Sequence, residues 1–251
     1  MDSKKKIIFL KILIMNKTLL LLILTPIFLF SQIDDFQGFM DFSYDNDSGK
    51  IILNIEDLDK EFLYINSLSR GVGNNDLGLD RGQLGNSRVV YFTKRGNKIL
   101  LIQPNLRYIS NSRNPLENKA VDEAFARSVL FGFDIIKQSN KSFQVDLTPF
   151  LINDAHGVAQ RLRSTNSGSY SLNKSMSAID LDRTKAFPKN IEFDVLLTFT
   201  GNPSGSLVRS VTPTPSNLTV NQHHSFVELP DDNYKMRKFD PRSGSNPFIV
   251  Y

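Results

Sequence analysis

The chain has 251 residues, 40% of them apolar and 22% charged, which leaves room for one large domain or two small ones and is too apolar for intrinsic disorder. It contains no cysteine, so disulfides, thiol nucleophiles and thiolate-held metals are excluded. Residues 1–31 hold five lysines and one acid, and the remainder balances at 25 basic and 25 acidic side chains, so charge gives no support to a nucleic-acid partner or an anionic membrane surface.

The first element in chain order is an export signal. Lys17 precedes an uncharged run over residues 18–30, rich in Leu and Ile, and Ser31, Gln32 and an acidic segment come next. A basic start, a short apolar core and a polar exit make the pattern of a secretory signal peptide. The run is shorter than the ~20 residues that span a bilayer. Met15-Asn16-Lys17 by itself supplies a complete basic start. The alternative, an uncleaved anchor over residues 7–30, is interrupted by Lys11, Asn16 and Lys17. Residues 1–31 are therefore expected to be a signal peptide and 32–251 a β-rich domain, exported to the periplasm, the outer membrane or the medium.

Strands and turns dominate the rest of the chain. Residues 38–44 and 50–56 flank Asp45-Asn46-Asp47-Ser48-Gly49, a cluster of turn formers, and residues 61–68 read as a third strand. Residues 88–93 and 98–103 flank the hairpin signal Lys94-Arg95-Gly96-Asn97, and the five segments together suggest a meander. Residues 118–131 place Ala120, Val121, Ala124, Phe125, Ser128 and Val129 at helical spacing, with acids near the start, and are the principal helix. Strands are expected again at 133–138 and 142–146, a second, shorter helix at 150–162, and a loop at 164–178. Residues 191–200 read as a strong strand, and 207–211 with 218–229 as a further hairpin. The closing run Phe248-Ile249-Val250-Tyr251 looks like a strand cut short. The expected fold class is α+β, mostly antiparallel sheet with the principal helix packed on it.

No complete catalytic set is visible. The only histidines are His156, His223 and His224; the last two are adjacent, so on a strand they face opposite sides and do not share one ion. There is no His-Glu-x-x-His and no Gly-x-Ser-x-Gly elbow; Gly201-Asn202-Pro203-Ser204-Gly205 reads as a loop. Asp45 to Gly49 with Glu56 resembles part of a calcium loop, but Gly and Lys stand at the wrong positions, so a hairpin turn is expected. The most unusual stretch is residues 71–82, with four glycines in twelve positions. Its plain reading is a long ordered loop in which Asp80 and Arg81 make internal hydrogen bonds. Its sharper reading is a loop that docks against another domain or lines a cleft.

These segments together resemble a known family. In order they are Glu61-Phe62-Leu63-Tyr64, Gly71-Val72-Gly73-Asn74-Asn75-Asp76, Gly78-Leu79-Asp80-Arg81-Gly82-Gln83 and Gln103-Pro104-Asn105-Leu106-Arg107-Tyr108. The helix at 120–132, Val145-Asp146-Leu147-Thr148, Phe187-Pro188-Lys189-Asn190-Ile191-Glu192, His223-His224-Ser225 and Asp240-Pro241-Arg242-Ser243-Gly244 continue the series. Over residues 36–244 the chain resembles the N-terminal region of large exported bacterial zinc-dependent metallopeptidases.

The resemblance implies an accessory domain of unassigned function, with a downstream catalytic domain as its partner, peptide or protein as the full protein's substrate, and zinc held by a His-Glu-x-x-His helix beyond this chain. It therefore assigns no catalytic, cofactor or metal residue here. Gly71, Gly73, Asn74, Asp76, Asp80, Arg81, Asp240 and Arg242 are the candidate interdomain or cleft contacts. The alternative function is a stand-alone exported binding or envelope-structural module.

Overall fold

Alternation of period two organises nearly the whole of the computed structural model, which describes residues 33–110, 112–231, Asn233 and Arg242. The expected signal peptide, Asp240 and the closing apolar run lie outside the described residues. Among the described residues, twelve strands form one antiparallel sheet. Three come first: β1 (Ile33–Phe36), β2 (Phe42–Asp45) and β3 (Lys50–Ile55). Five follow in a second meander: β4 (Glu61–Arg70), β5 (Leu84–Arg95), β6 (Lys98–Gln103), β7 (Ser128–Gln138) and β8 (Phe143–Asp146). Then come β9 (Gly168–Leu172), β10 (Ala178–Phe187), β11 (Asn190–Pro203) and β12 (Asn217–Glu228).

The spatial order is β1-β2-β3-β8-β7-β6-β5-β4-β12-β11-β10, with β9 on β11. The single meander expected for the first five strands is thus broken in the middle. β3 pairs with β8 and β4 with β12, so β3 and β4 are not ladder neighbours.

The sheet curls until its two ends meet. On β4, Phe62, Tyr64, Asn66 and Leu68 are buried alternately with exposed or half-exposed neighbours; on β12 the same face carries Leu218, Val220, Gln222, His224 and Phe226. Phe62 packs on Phe92 of β5 at 5.3 Å and on Phe226 at 5.2 Å between ring centroids. Phe42 of β2 reaches Phe193 of β11 at 4.8 Å, although these strands stand near opposite ends of the strand order. The Phe39 N–H donates to Phe187 O at 2.8 Å, which joins the β1–β2 connection to the end of β10. One apolar core therefore fills the inside of the curl.

The helices correct the sequence reading at their boundaries. α1 spans Pro115–Ala124; Asn114 caps it and Pro115 opens it, where a missing N–H costs nothing. It stops at Phe125 because Ser128 onward is β7, with Phe131 and Phe133 in register with β6. None of its residues is buried, so it stands off the sheet instead of packing on it.

The helix expected over 150–162 is two pieces, α2 (Thr148–Leu151) and α3 (Val158–Ser164). The Asp154 carboxylate separates them by accepting from the N–H groups of Val158 at 2.7 Å and Ala159 at 2.9 Å, a cap that starts a new helix. Phe150, Leu151, Val158 and Leu162 are buried and plug one end of the curl. The 164–178 segment, expected as a loop, holds β9, and 207–211 is a turn, not a strand.

Candidate functional site

Because side chains alternate, β11 and β12 present a second, polar face on the side opposite the core. Asp194 stands opposite His223 in the ladder and Glu192 opposite Ser225. His223 is held between the two carboxylates: Nε2 lies 2.7 Å from Glu192 Oε2 and Nδ1 lies 3.2 Å from Asp194 Oδ2. Ser225 Oγ also donates to Glu192 Oε2, and Asn190 donates to Glu192 Oε1. Asn221 Nδ2 donates to Asp194 Oδ1 at 2.8 Å and to Asp180 Oδ2 at 3.1 Å, so one amide separates two carboxylates that face each other across the β10–β11 ladder.

These contacts decide the charges. Hydrogen bonds to Asp194 and then Glu192 raise the His223 pKa to about 9, so at neutral pH it is an imidazolium. Burial pushes both acids up, but hydrogen bonds from His223, Ser225 and Asn190 hold Glu192 below its usual value. Those from His223, Ser69 and Asn221 do the same for Asp194.

His224, one residue on, lies in the core and does the reverse. Burial lowers its pKa to about 3, so it is neutral. Gln222 is one of its ring's neighbours. The His156 N–H needs the Gln222 oxygen, at 2.9 Å, so the Gln222 amide N–H groups face Asn153 O at 2.8 Å and His224 Nε2 at 2.9 Å. His224 Nε2 also lies 3.2 Å from Leu151 O, and Nδ1 lies 2.9 Å from Tyr64 Oη, so both ring nitrogens are engaged inside the core. The structure bears out the opposed facing of the two histidines.

The arrangement has no free reacting group. Ser225 and His223 both approach the same Glu192 oxygen, so the serine is not presented to an imidazole base. The three histidines do not converge, and no group of three or more His, Asp or Glu able to hold a metal occurs among the described residues. The residues present do not fit a hydrolytic zinc site.

Beside His223 lies a shallow hollow of about 500 Å³, lined by Ser67 and Ser69 of β4, Arg81, Gly82, Arg183 of β10, Asp194 and His223. The loop that delivers Arg81 is tightly knitted. A side chain at Gly71 would collide with Leu79 O and lie 2.6 Å from the Asp80 carbonyl carbon. Val72 N–H donates to Leu79 O at 2.9 Å, Leu77 and Leu79 are fully buried, and Arg161 Nε holds Leu77 O at 2.6 Å. Gly82 turns the chain with φ +84 and donates to Leu68 O at 2.6 Å.

Of the sequence candidates, the hollow receives Arg81 alone. Asn74 caps the 3-10 turn Asn75–Leu77 that carries Asp76. Gly71 packs beneath residues 79–81, Gly73 takes φ +92 in open space, and the backbone oxygen of Asp80 accepts from Gln83. The internal hydrogen bond expected of Arg81 is absent among the described residues, and its exposed side chain faces the hollow. Arg242 is exposed and does not line the hollow. Sequence reasoning missed Glu192, Asp194, Asp180, Asn221 and Arg183. The available signal was a pair of acids two residues apart in a strongly apolar strand, which marks one strand face as polar.

In comparison with known families, the model described as "Domain of unknown function (DUF5117)" matches residues 82–246. That span takes in β5 to β12 and the whole His223 cluster. The description assigns no activity. No curated protein and no solved structure matches the chain.

Proposed function

The chain belongs to the DUF5117 family, and on that premise we propose that it is the non-catalytic N-terminal part of an exported zinc-dependent metallopeptidase, whose catalytic domain it supports beside the substrate cleft. One observation carries the reading. Residues 78–83, 187–192 and 223–225, three of the segments on which the resemblance to those peptidases rests, contribute Arg81, Glu192, His223 and Ser225 to one face. On that face His223 is neutralised by Glu192 and Asp194, which leaves no free acid or base and suits a rigid docking surface and not a reacting centre. In this account zinc and its activating glutamate belong to the downstream His-Glu-x-x-His domain, and peptide substrates bind there.

The alternative of a stand-alone exported binding or envelope module draws on the exposed apolar side chains around α1: Tyr108 stacked on Phe125 at 4.2 Å, and Leu116 at 74% exposure. One experiment separates the readings. The 251-residue chain and the product of its gene's full open frame are each incubated with zinc and an unfolded protein substrate. The proposal expects peptide release from the longer product only. Chelator-sensitive cleavage by the 251-residue chain alone contradicts it, and a frame that reaches no His-Glu-x-x-His favours the module.

A further inference from the structure

We propose that the hollow beside His223 is a receptor for a carboxylate side chain of the domain it docks against, gripped by Arg81 and Arg183. This rests on the docking reading and names the chemistry of the partner surface.

Arg81 and Arg183 come from segments a hundred residues apart and line the same hollow. Neither makes an ion pair or a side-chain hydrogen bond with another described residue. Some exposed cations of this chain do find acids, as Lys98 does with Asp134 at 2.8 Å and Lys50 with Asp146 at 3.3 Å. The hollow's own carboxylate cannot serve the arginines: Asp194 is committed to His223 and Asn221, and its side chain is 1% exposed. What the hollow offers to a ligand is therefore two guanidinium forks and the Ser67 hydroxyl, beside a charged imidazole whose nitrogens are engaged by Asp194 and Glu192.

The fork geometry matches a carboxylate in two parallel hydrogen bonds. The Gly71 contact and the Gly82 turn fix the backbone that carries Arg81, so binding needs to order its side chain but not its loop. Asp194 lines the hollow, and Glu192 and Asp180 are joined to it through His223 and Asn221; these acids offset much of the positive charge, so a single negative charge suits the hollow better than a phosphate dianion.

The test is a two-dimensional NMR titration of the full chain with N-acetyl-triglutamate amide and, in parallel, with inorganic phosphate. The inference expects saturable shifts at Ser69, Gly82 and His223 with triglutamate, and phosphate at least tenfold weaker. It expects at least a tenfold loss of triglutamate affinity in the Arg81→Ala/Arg183→Ala variant and a smaller loss in Arg183→Gln, with thermal midpoints unchanged because both side chains are exposed. Shifts that do not saturate, equal affinity in the variants, or preference for phosphate each overturn it. Cross-linking within the gene's longer product tests the docking reading separately: a link from this face to the downstream domain with no triglutamate binding would sink the carboxylate assignment and leave docking standing.

Discussion

Asp194 and His223 stand directly opposite each other in the β11–β12 ladder, and their side chains meet at 3.2 Å on the outer face of the sheet. The next residue, His224, opposes Phe193 and points into the core. Two adjacent imidazoles are thus held in opposite protonation states by the alternation of one strand, the outer charged by its carboxylates and the inner neutralised by burial. The polar face and the aromatic core are built from the same pair of strands.

That pairing predicts a stability maximum near pH 6.5. His223 is raised to about 9, so its contribution is complete below its unfolded value of about 6.5 and is lost as pH rises through about 9. His224 is lowered to about 3, so the unfolded chain takes up its proton first and stability falls as pH drops below about 6.5. The lowered Glu192 and Asp194 add to the acid loss below about pH 4. Urea unfolding across pH 4 to 10 checks this; His223→Gln should lose roughly 2–3 kcal/mol at neutral pH and flatten the alkaline limb.

Asn221→Leu should expose the repulsion that the amide now screens. Without its N–H groups, Asp194 and Asp180 face each other across the ladder with no donor between them. A loss of about 2–4 kcal/mol at pH 7 is expected. Repulsion raises the pKa of one acid, so protonation relieves it and the deficit should shrink toward pH 4.5. A deficit independent of pH in chemical denaturation would contradict the account.

Phe193→Ala should cost about 3–5 kcal/mol, because the ring is fully buried and contacts both Phe42 and Phe226. A double-mutant cycle with Phe42→Ala should return a coupling of about 0.5–1.5 kcal/mol, measuring the contact that joins the two ends of the curled sheet. Strict additivity in equilibrium unfolding would mean that this contact contributes nothing beyond its burial.

Gly71→Ala and Gly73→Ala separate the two roles of glycine in the 71–82 loop. At Gly71 a methyl group meets the backbone of Leu79 and Asp80, so the segment carrying Arg81 must shift. At Gly73, with φ +92 and open space, only backbone strain of about 1 kcal/mol is expected. Gly71→Ala should therefore weaken triglutamate binding as well as stability, whereas Gly73→Ala should leave binding intact. Calorimetry reads both quantities on each variant.

The legible parts of this fold are those that local physics decides. The strand at Lys98–Gln103 is legible to the residue because an apolar run, with Ile99 and Leu101 buried on either side of half-buried Leu100, follows a Gly-Asn turn. β10 is not, because Asp182, Arg183 and Lys185 break its alternation at a bulge, and its role as an edge needs no apolar face. The helical spacing overruns the end of α1 because Ser128 and Val129 fit it, while the ladder to β6 takes them into a strand.

At the site, the opposed facing of His223 and His224 needs only strand periodicity. Glu192 and Asp194 as their companions need the β11–β12 register, which connects residues about thirty apart and leaves no local trace. Arg81 stands out for the unusual glycine content around it, but Arg183, its partner in the hollow, carries no such mark.

Hydrogen–deuterium exchange on the 251-residue chain, with and without the catalytic domain that the proposal places downstream, addresses the docking claim most directly. The account predicts slowed exchange at residues 67–69, 81–84 and 181–185 when that domain is added, with the outer surface of α1 unchanged. Unchanged exchange around Arg81 and Arg183, with protection confined to α1, would contradict it.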